Sequence, residues 1–151
     1  TIRFNRPMSQ TTRVHQMAMF TVFESPLQMM ADSPSQYLAN AESAKFIASV
    51  PSVWDETIAL NGEIGDYITF ARRSGDTWFI GAMSDEHARE LKVKLDFLPR
   101  GKYDIEIFQD GVNAHRFAED YQRITKKVTN KDILTLKLAP GGGYTAKISP
   151  R

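Results

Sequence analysis

Apolar residues along the chain follow two different periods, and the change falls near Pro51. Upstream, Val14, Met17, Ala18 and Val22 recur at helical spacing behind a Ser9 or Thr11 cap. Met19, Phe20 and Phe23 add apolar groups on the remaining faces, and a helix apolar nearly all round expects burial in a larger body. Pro26 ends this helix, because Ser25 before a proline is pushed out of the helical well. Leu27 to Ala31 is a short, mostly apolar run of strand length. Ser33 can then cap, Pro34 suits a first helical position, and Gln36 completes a capping box. The helix predicted from there, over 34–49, aligns Tyr37, Leu38, Ala41, Ala44 and Ala48 and stops before Pro51.

Downstream the period is two. Leu91, Val93, Leu95 and Phe97 alternate with charged residues, as do Tyr103, Ile105 and Ile107; Leu134, Leu136 and Leu138, and Tyr144, Ala146 and Ile148, repeat the pattern. Turn signals at Asn61-Gly62, Ser74 to Asp76, Pro99 to Gly101, Asp110-Gly111 and Pro140 to Gly143 separate the runs. The spacing predicts strands over 54–60, 66–73, 77–83, 90–97, 103–109, 122–128, 133–138 and 144–149, and short antiparallel strands at such intervals favour a β-sandwich.

The first 50 residues therefore read helix–strand–helix, and a lone strand between two helices has nothing to pair with. Such a unit is the end of an α/β sheet or barrel whose earlier units lie elsewhere. The predicted fold is α/β followed by all-β: residues 1–52 as the last helix–strand–helix of a (β/α)8 barrel, and 53–151 as a C-terminal antiparallel β-sandwich. An opening at Thr1-Ile2-Arg3-Phe4, with no initiator methionine, carries the same expectation of a piece of something longer.

Composition excludes some functions. Among 151 residues, 19 Lys and Arg against 18 Asp and Glu leave a net charge of +1, which removes bulk charge as a motive for binding nucleic acid or an anionic membrane. The absence of cysteine excludes disulfides and thiolate chemistry. His15, His87 and His115 lack a paired metal-ligand spacing. Gly141 to Gly143 reads as a wide turn rather than an anion nest, and Arg72-Arg73 as a solvated edge or an ion pair.

The carboxylates carry more. Asp32 stands at the predicted C-terminal end of a parallel strand, where α/β barrels place their sites, so it is the candidate substrate contact; its alternative role is to support the next helix's N-terminus. Asp55 and Glu56 beside Trp54 offer the two carboxylates that glycosidases need. Neighbours on a strand point to opposite faces, so these two cannot flank one bond and serve better at the junction. Glu24 reads as an ion-pair or solvated position. Trp54 and Trp78 could stack on sugars or fill the sandwich core.

The continuous wording adds a resemblance. RVHQMAMFTVFESPLQMMADSP (13–34), VPSVWDET (50–57), ARRSGDTWFIGAM (71–83), IFQDGVN (107–113) and LAPGGG (138–143) resemble, in order, the late barrel and C-terminal region of glycoside hydrolase family 97. That resemblance implies an exo-acting α-glycosidase, hydrolysing terminal α-linked glucose, with an α-galactosidase parent as the alternative. It implies calcium in the intact enzyme, catalytic carboxylates on earlier barrel strands, none of them in this chain, and a periplasmic or secreted location. The rest of the parent chain and an oligosaccharide substrate are the implied partners. The chain alone is then expected to be inactive and to expose its barrel end, with self-association as one outlet. A carbohydrate-binding module is the rival reading of the sandwich.

Overall fold

In a computed structural model, residues 10–25, 28–30 and 32–151 are described. Three helices, α1 (Arg13–Val22), α2 (Pro34–Ala39) and α3 (Ala41–Ala48), precede eight strands. These are β1 (Glu56–Glu63), β2 (Tyr67–Ser74), β3 (Thr77–Ser84), β4 (Arg89–Lys94), β5 (Lys102–Asp110), β6 (Tyr121–Thr129), β7 (Ile133–Leu138) and β8 (Gly143–Pro150). All eight expected strands form, most with ends shifted by no more than a residue, while β1 starts two residues late and ends three late at Glu63 and β4 stops three residues early at Lys94. They make an antiparallel six-stranded sheet in the order β1-β2-β3-β8-β5-β6 and a two-stranded sheet β4-β7.

Alternation sorts the side chains. Ile80, Ala82, Ile105, Ile107, Tyr144, Ala146 and Ile148 face inward from the large sheet, and Val93, Leu134, Leu136 and Leu138 answer from the small one. Leu95 and Leu98, just past β4, close the same core. Trp78 packs there against Phe97 at 4.9 Å between ring centroids, which settles it as a core residue.

The opposite face of the large sheet is apolar as well. Phe79 and Phe108 join Val14 and Met17 of α1 and Phe46 of α3 in a second core. Both faces of the central strands are therefore covered, and β3 consequently reads as an unbroken buried run from Trp78 to Ala82. α1 lies on β3 and β8, and two glycines set the approach. A Cβ on Gly81 would stand 2.9 Å from Thr21 Cβ and Val22 Cγ2, and one on Gly143 would overlap the backbone of His15.

The helical half departs from expectation in three places. Thr12 is the cap of α1, its hydroxyl accepting from the His15 amide at 3.1 Å; Ser9 is outside the described residues, as is Pro26. The predicted 34–49 helix breaks at Asn40. There the Asn40 side chain donates to Gln36 O at 3.0 Å and accepts from Arg13 Nη1 at 2.8 Å, a local alternative to the helical ladder. The break also turns the buried face: Ser43 and Phe46 are covered, whereas Leu38 of the expected stripe is 80% exposed. Ser33 holds the cap position with Pro34 first in the helix, but its hydroxyl faces that of Ser35 at 3.0 Å and makes no capping bond to the helix.

The expected strand over 27–31 is the third departure. Gln28 to Met30 are described without strand geometry, while Leu27 and Ala31 lie outside the described residues. An extended segment becomes a strand only when a neighbour takes its backbone groups, and none of the described strands lies beside it.

Candidate functional site

Asp32 lies in the bend before α2, exposed to solvent. Its carboxylate Oδ1 accepts from the Ser33 amide at 2.7 Å, and its own amide donates to Tyr37 Oη at 2.6 Å. Both contacts tie Asp32 to the segment that opens α2.

Asp55 and Glu56 meet one guanidinium. Glu56 Oε2 takes Arg73 Nε at 3.1 Å, and Asp55 Oδ2 lies 3.6 Å from Arg73 Nη1 while accepting the Gly75 amide at 2.7 Å. Opposite facing does not apply to the pair, because Asp55 precedes β1. Glu56 is thereby tied to β2 and Asp55 to the β2–β3 turn, the junction role expected of them.

Arg72 corrects the expectation of a solvated edge. It is 3% exposed, sits 5.6 Å from the centroid of Trp54 and 5.8 Å from that of Phe70, and donates from Nη1 to Phe23 O at 3.1 Å. Burial lowers its proton affinity, and the nearby Glu24 charge partly restores it. The residue thereby takes a carbonyl left open at the end of α1. Trp54 itself packs edge-on to Phe79 at 5.5 Å, so it belongs to the helix–sheet layer.

The three histidines are apart in role. His115 is exposed in the β5–β6 loop. His15 Nδ1 lies 3.0 Å from Gly142 O. His87 Nδ1 lies 2.9 Å from Asp85 Oδ2, and Arg89 Nη2 reaches both oxygens of Asp85 at 3.2 Å and Asp66 at 3.2 Å. The hydrogen bond from His87 holds the Asp85 carboxyl well below its ordinary value, and in return Asp85 raises His87.

The pH dependence of that pair has two limbs. The His87 contribution is complete below the ordinary histidine value of 6.5 and fades as pH rises through the raised one. The Asp85 contribution is complete above the ordinary 3.8 and fades as pH falls toward the lowered one. A proton NMR titration should place His87 above 6.5, and Asp85→Asn should return it to that ordinary value. An unchanged midpoint in the variant would show the pair to be unimportant.

Asp85, Glu86 and His87 bring one ligand atom each to within 4.8 Å of one another. The set does not fit calcium, which takes six to eight oxygens. One of the three donors is a ring nitrogen, and both Asp85 oxygens already serve cationic or N–H donors.

A buried polar site is one that sequence reasoning missed. Asp110, 7% exposed at the end of β5, accepts the amides of Ala139 at 2.8 Å and Gly143 at 2.9 Å on a single oxygen, Oδ2. The Pro140 to Gly143 segment is the turn expected, closed by the Gly142 amide donating to Ala139 O at 2.8 Å, and Asp110 ties its two flanks together. Gly141 supplies the φ of +61° that the turn needs. Burial raises the Asp110 carboxyl above its ordinary value, against the pull of the Thr12 hydroxyl and the two amides. The available signal was the pairing of Asp110-Gly111 with a distant Gly-rich turn, and nothing in sequence spacing joins the two.

Among the described residues, Asp55, Glu56, Asp85 and Asp110 are held by amide and guanidinium donors that tie strands and turns together. Residues 53–149 match the family described as Glycosyl-hydrolase 97 C-terminal, oligomerisation. The retaining alpha-galactosidase of Bacteroides thetaiotaomicron is 46% identical over 145 residues, covering 96% of this chain and 22% of that protein. A probable retaining alpha-galactosidase of Streptomyces bingchenggensis is 28% identical over 145 residues, covering 95% and 22%. A glycoside hydrolase family 97 enzyme from Pseudoalteromonas sp. strain K8, solved with acarbose, superposes with a TM-score of 0.92 at 39% identity, over 99% of this chain and 24% of that one. The chain spans 22% of the length of the curated relatives it matches. It belongs to glycoside hydrolase family 97, of which it carries the C-terminal sandwich.

Proposed function

We propose that this chain is the structural C-terminal part of an exo-acting α-glycosidase that releases a terminal α-linked galactose. The 46% identity to a retaining alpha-galactosidase, sustained over 96% of the chain, carries this reading. Terminal α-linked glucose is the second reading, favoured by the relative at 39% identity that was solved with acarbose and, in a variant, with panose.

In this proposal residues 1–52 are the last helix–strand–helix of the catalytic barrel, and 53–151 are the sandwich that supports it. Phe23 at 47%, Met29 at 79% and Leu38 at 80% exposure support the assignment, since apolar surface of this kind calls for cover. The remainder of the parent chain supplies that cover. Without it, the same surface is the proposed seat of self-association. Asp32 then stands at the barrel rim as a substrate contact, and the acid/base carboxylates come from upstream. Export to the periplasm or beyond rests on the family resemblance alone.

A carbohydrate-binding role for the sandwich is disfavoured. The exposed large aromatics among the described residues are Phe23 and Phe117. The first follows the end of α1, and the second adjoins Ala118, which takes the Arg13 amide at its start. A ten-residue helix, roughly 15 Å long, separates them, so they make no row for one sugar chain.

The full-length protein should hydrolyse aryl α-galactoside faster than aryl α-glucoside, and this chain alone should hydrolyse neither. A reversed preference selects the glucose reading, and no turnover of either substrate refutes both. Calcium belongs, in this proposal, to the upstream part. Chelation should therefore abolish full-length activity while leaving the melting temperature of the 151-residue chain unchanged. A drop in that temperature would place a calcium site in this chain.

A further inference from the structure

α1 is gripped at both ends by groups of the sandwich. At its start the Thr12 amide donates to Gly141 O at 3.0 Å and the Arg13 amide to Ala118 O at 2.7 Å. His15 Nδ1 meets Gly142 O at 3.0 Å, and the backbone of His15 rests directly on Gly143. The shape of that glycine turn is in turn set by Asp110, which collects the amides of Ala139 and Gly143. At the far end Arg72 takes Phe23 O, and Thr21 and Val22 sit on Gly81. The two grips differ in what they face. In a (β/α)8 barrel the helices begin at the substrate face and end at the opposite one.

We propose that Asp110 is a positioning residue for the reaction: by fixing the Pro140 to Gly143 turn it fixes the height of the first turn of α1, the end of the helix that faces the substrate. This rests on the barrel reading above. Asp110 touches no substrate; it acts through the glycine turn and the helix start. The Gly81 and Arg72 grip, at the other end of the same helix, serves stability without reaching the site.

The test compares Asp110→Ala and Asp110→Asn with Gly81→Ala in the full-length enzyme, all assayed well below their melting temperatures. Asp110→Ala removes the acceptor of both amides and is expected to lower kcat on the preferred aryl α-glycoside at least tenfold, with KM within threefold. Asp110→Asn keeps one oxygen for those amides and is expected to recover kcat to within threefold of the parent. Gly81→Ala loosens the far end and should leave kcat within twofold even where it melts lower. Hydrogen exchange of amides 12–16 should quicken in Asp110→Ala and stay unchanged in Gly81→Ala. Equal losses of kcat in the two alanine variants, or unchanged exchange at 12–16 in Asp110→Ala, would overturn the proposal. A parent enzyme that turns over neither sugar would instead count against the barrel reading, and the exchange comparison would still decide whether Asp110 anchors the helix.

Discussion

Gly143→Ala is expected to cost about 3 kcal/mol or more of stability, at the upper end of what overpacking does in a close-packed interior. The reason is the nature of the obstacle. A Cβ at this position runs into the backbone N and Cα of His15, and a helix backbone cannot swing aside as a flexible side chain can. Relief requires either that α1 lift off β8 or that the turn deform. Deformation would break the Gly143 amide bond to Asp110. Gly81→Ala meets side-chain atoms of Thr21 and Val22 instead, so its cost should be about 1–2 kcal/mol. Urea unfolding of the two variants checks the order. Equal costs would mean that the helix is seated more loosely on β8 than on β3.

Phe108→Ala should be the largest of the core truncations on the helix side, at about 3–5 kcal/mol. The ring has no exposed surface and is held between two others, Phe46 at 5.0 Å and Tyr121 at 5.6 Å between centroids. Removing it leaves a cavity bounded by a sheet on one side, which cannot collapse inward. It also unseats Phe46, the apolar residue by which α3 enters the buried layer. Tyr121 Oη donates to Glu42 Oε2 at 2.9 Å, so the loss should extend to the hold on α3. A calorimetric melt of Phe108→Ala against Phe108→Leu separates lost area from lost ring contacts, and a loss below about 1 kcal/mol would show the second core to be dispensable.

How much of this was legible depended on the range of the interactions. Strands wrote themselves into the chain because alternation and turn residues are local: Ile105 and Ile107 inside, Asp104 and Glu106 outside or half-covered. α1 was legible for the same reason, apart from one residue in its cap. The break at Asn40 was not, since it needs Arg13, 27 positions away, to engage the asparagine oxygen. The Asp110 contacts were hidden by similar distance: the two amide donors lie 29 and 33 positions on, and an Asp-Gly pair looks like an ordinary turn signal. Arg72 misled because a doubled arginine at a strand end normally faces water. What buries it is the alternation of β2, which turns Arg73 toward Asp55 and Glu56 and Arg72 under α1. Asp32 lies just before α2, and the contacts visible there, with Ser33 and Tyr37, are local ones.

The six-stranded sheet works as a shared wall, with the sandwich core on one side and α1 and α3 on the other. This has a consequence for the order of events during synthesis. α1 leaves the ribosome before any strand it docks on, and its seat is made by β3 together with β8, the last described strand, which lies between β3 and β5. Until Gly143 to Pro150 has emerged, β3 lacks its inner neighbour and Gly143 is not there to receive His15. Contacts that span so much chain form late. The helix must therefore wait, with the side that meets the sheet uncovered, until the strands from β1 to β8 have been translated. A ribosome stalled a few codons before β8 would hold an α1 with no place to dock, and nascent chains arrested there should be the ones that chaperones capture most readily.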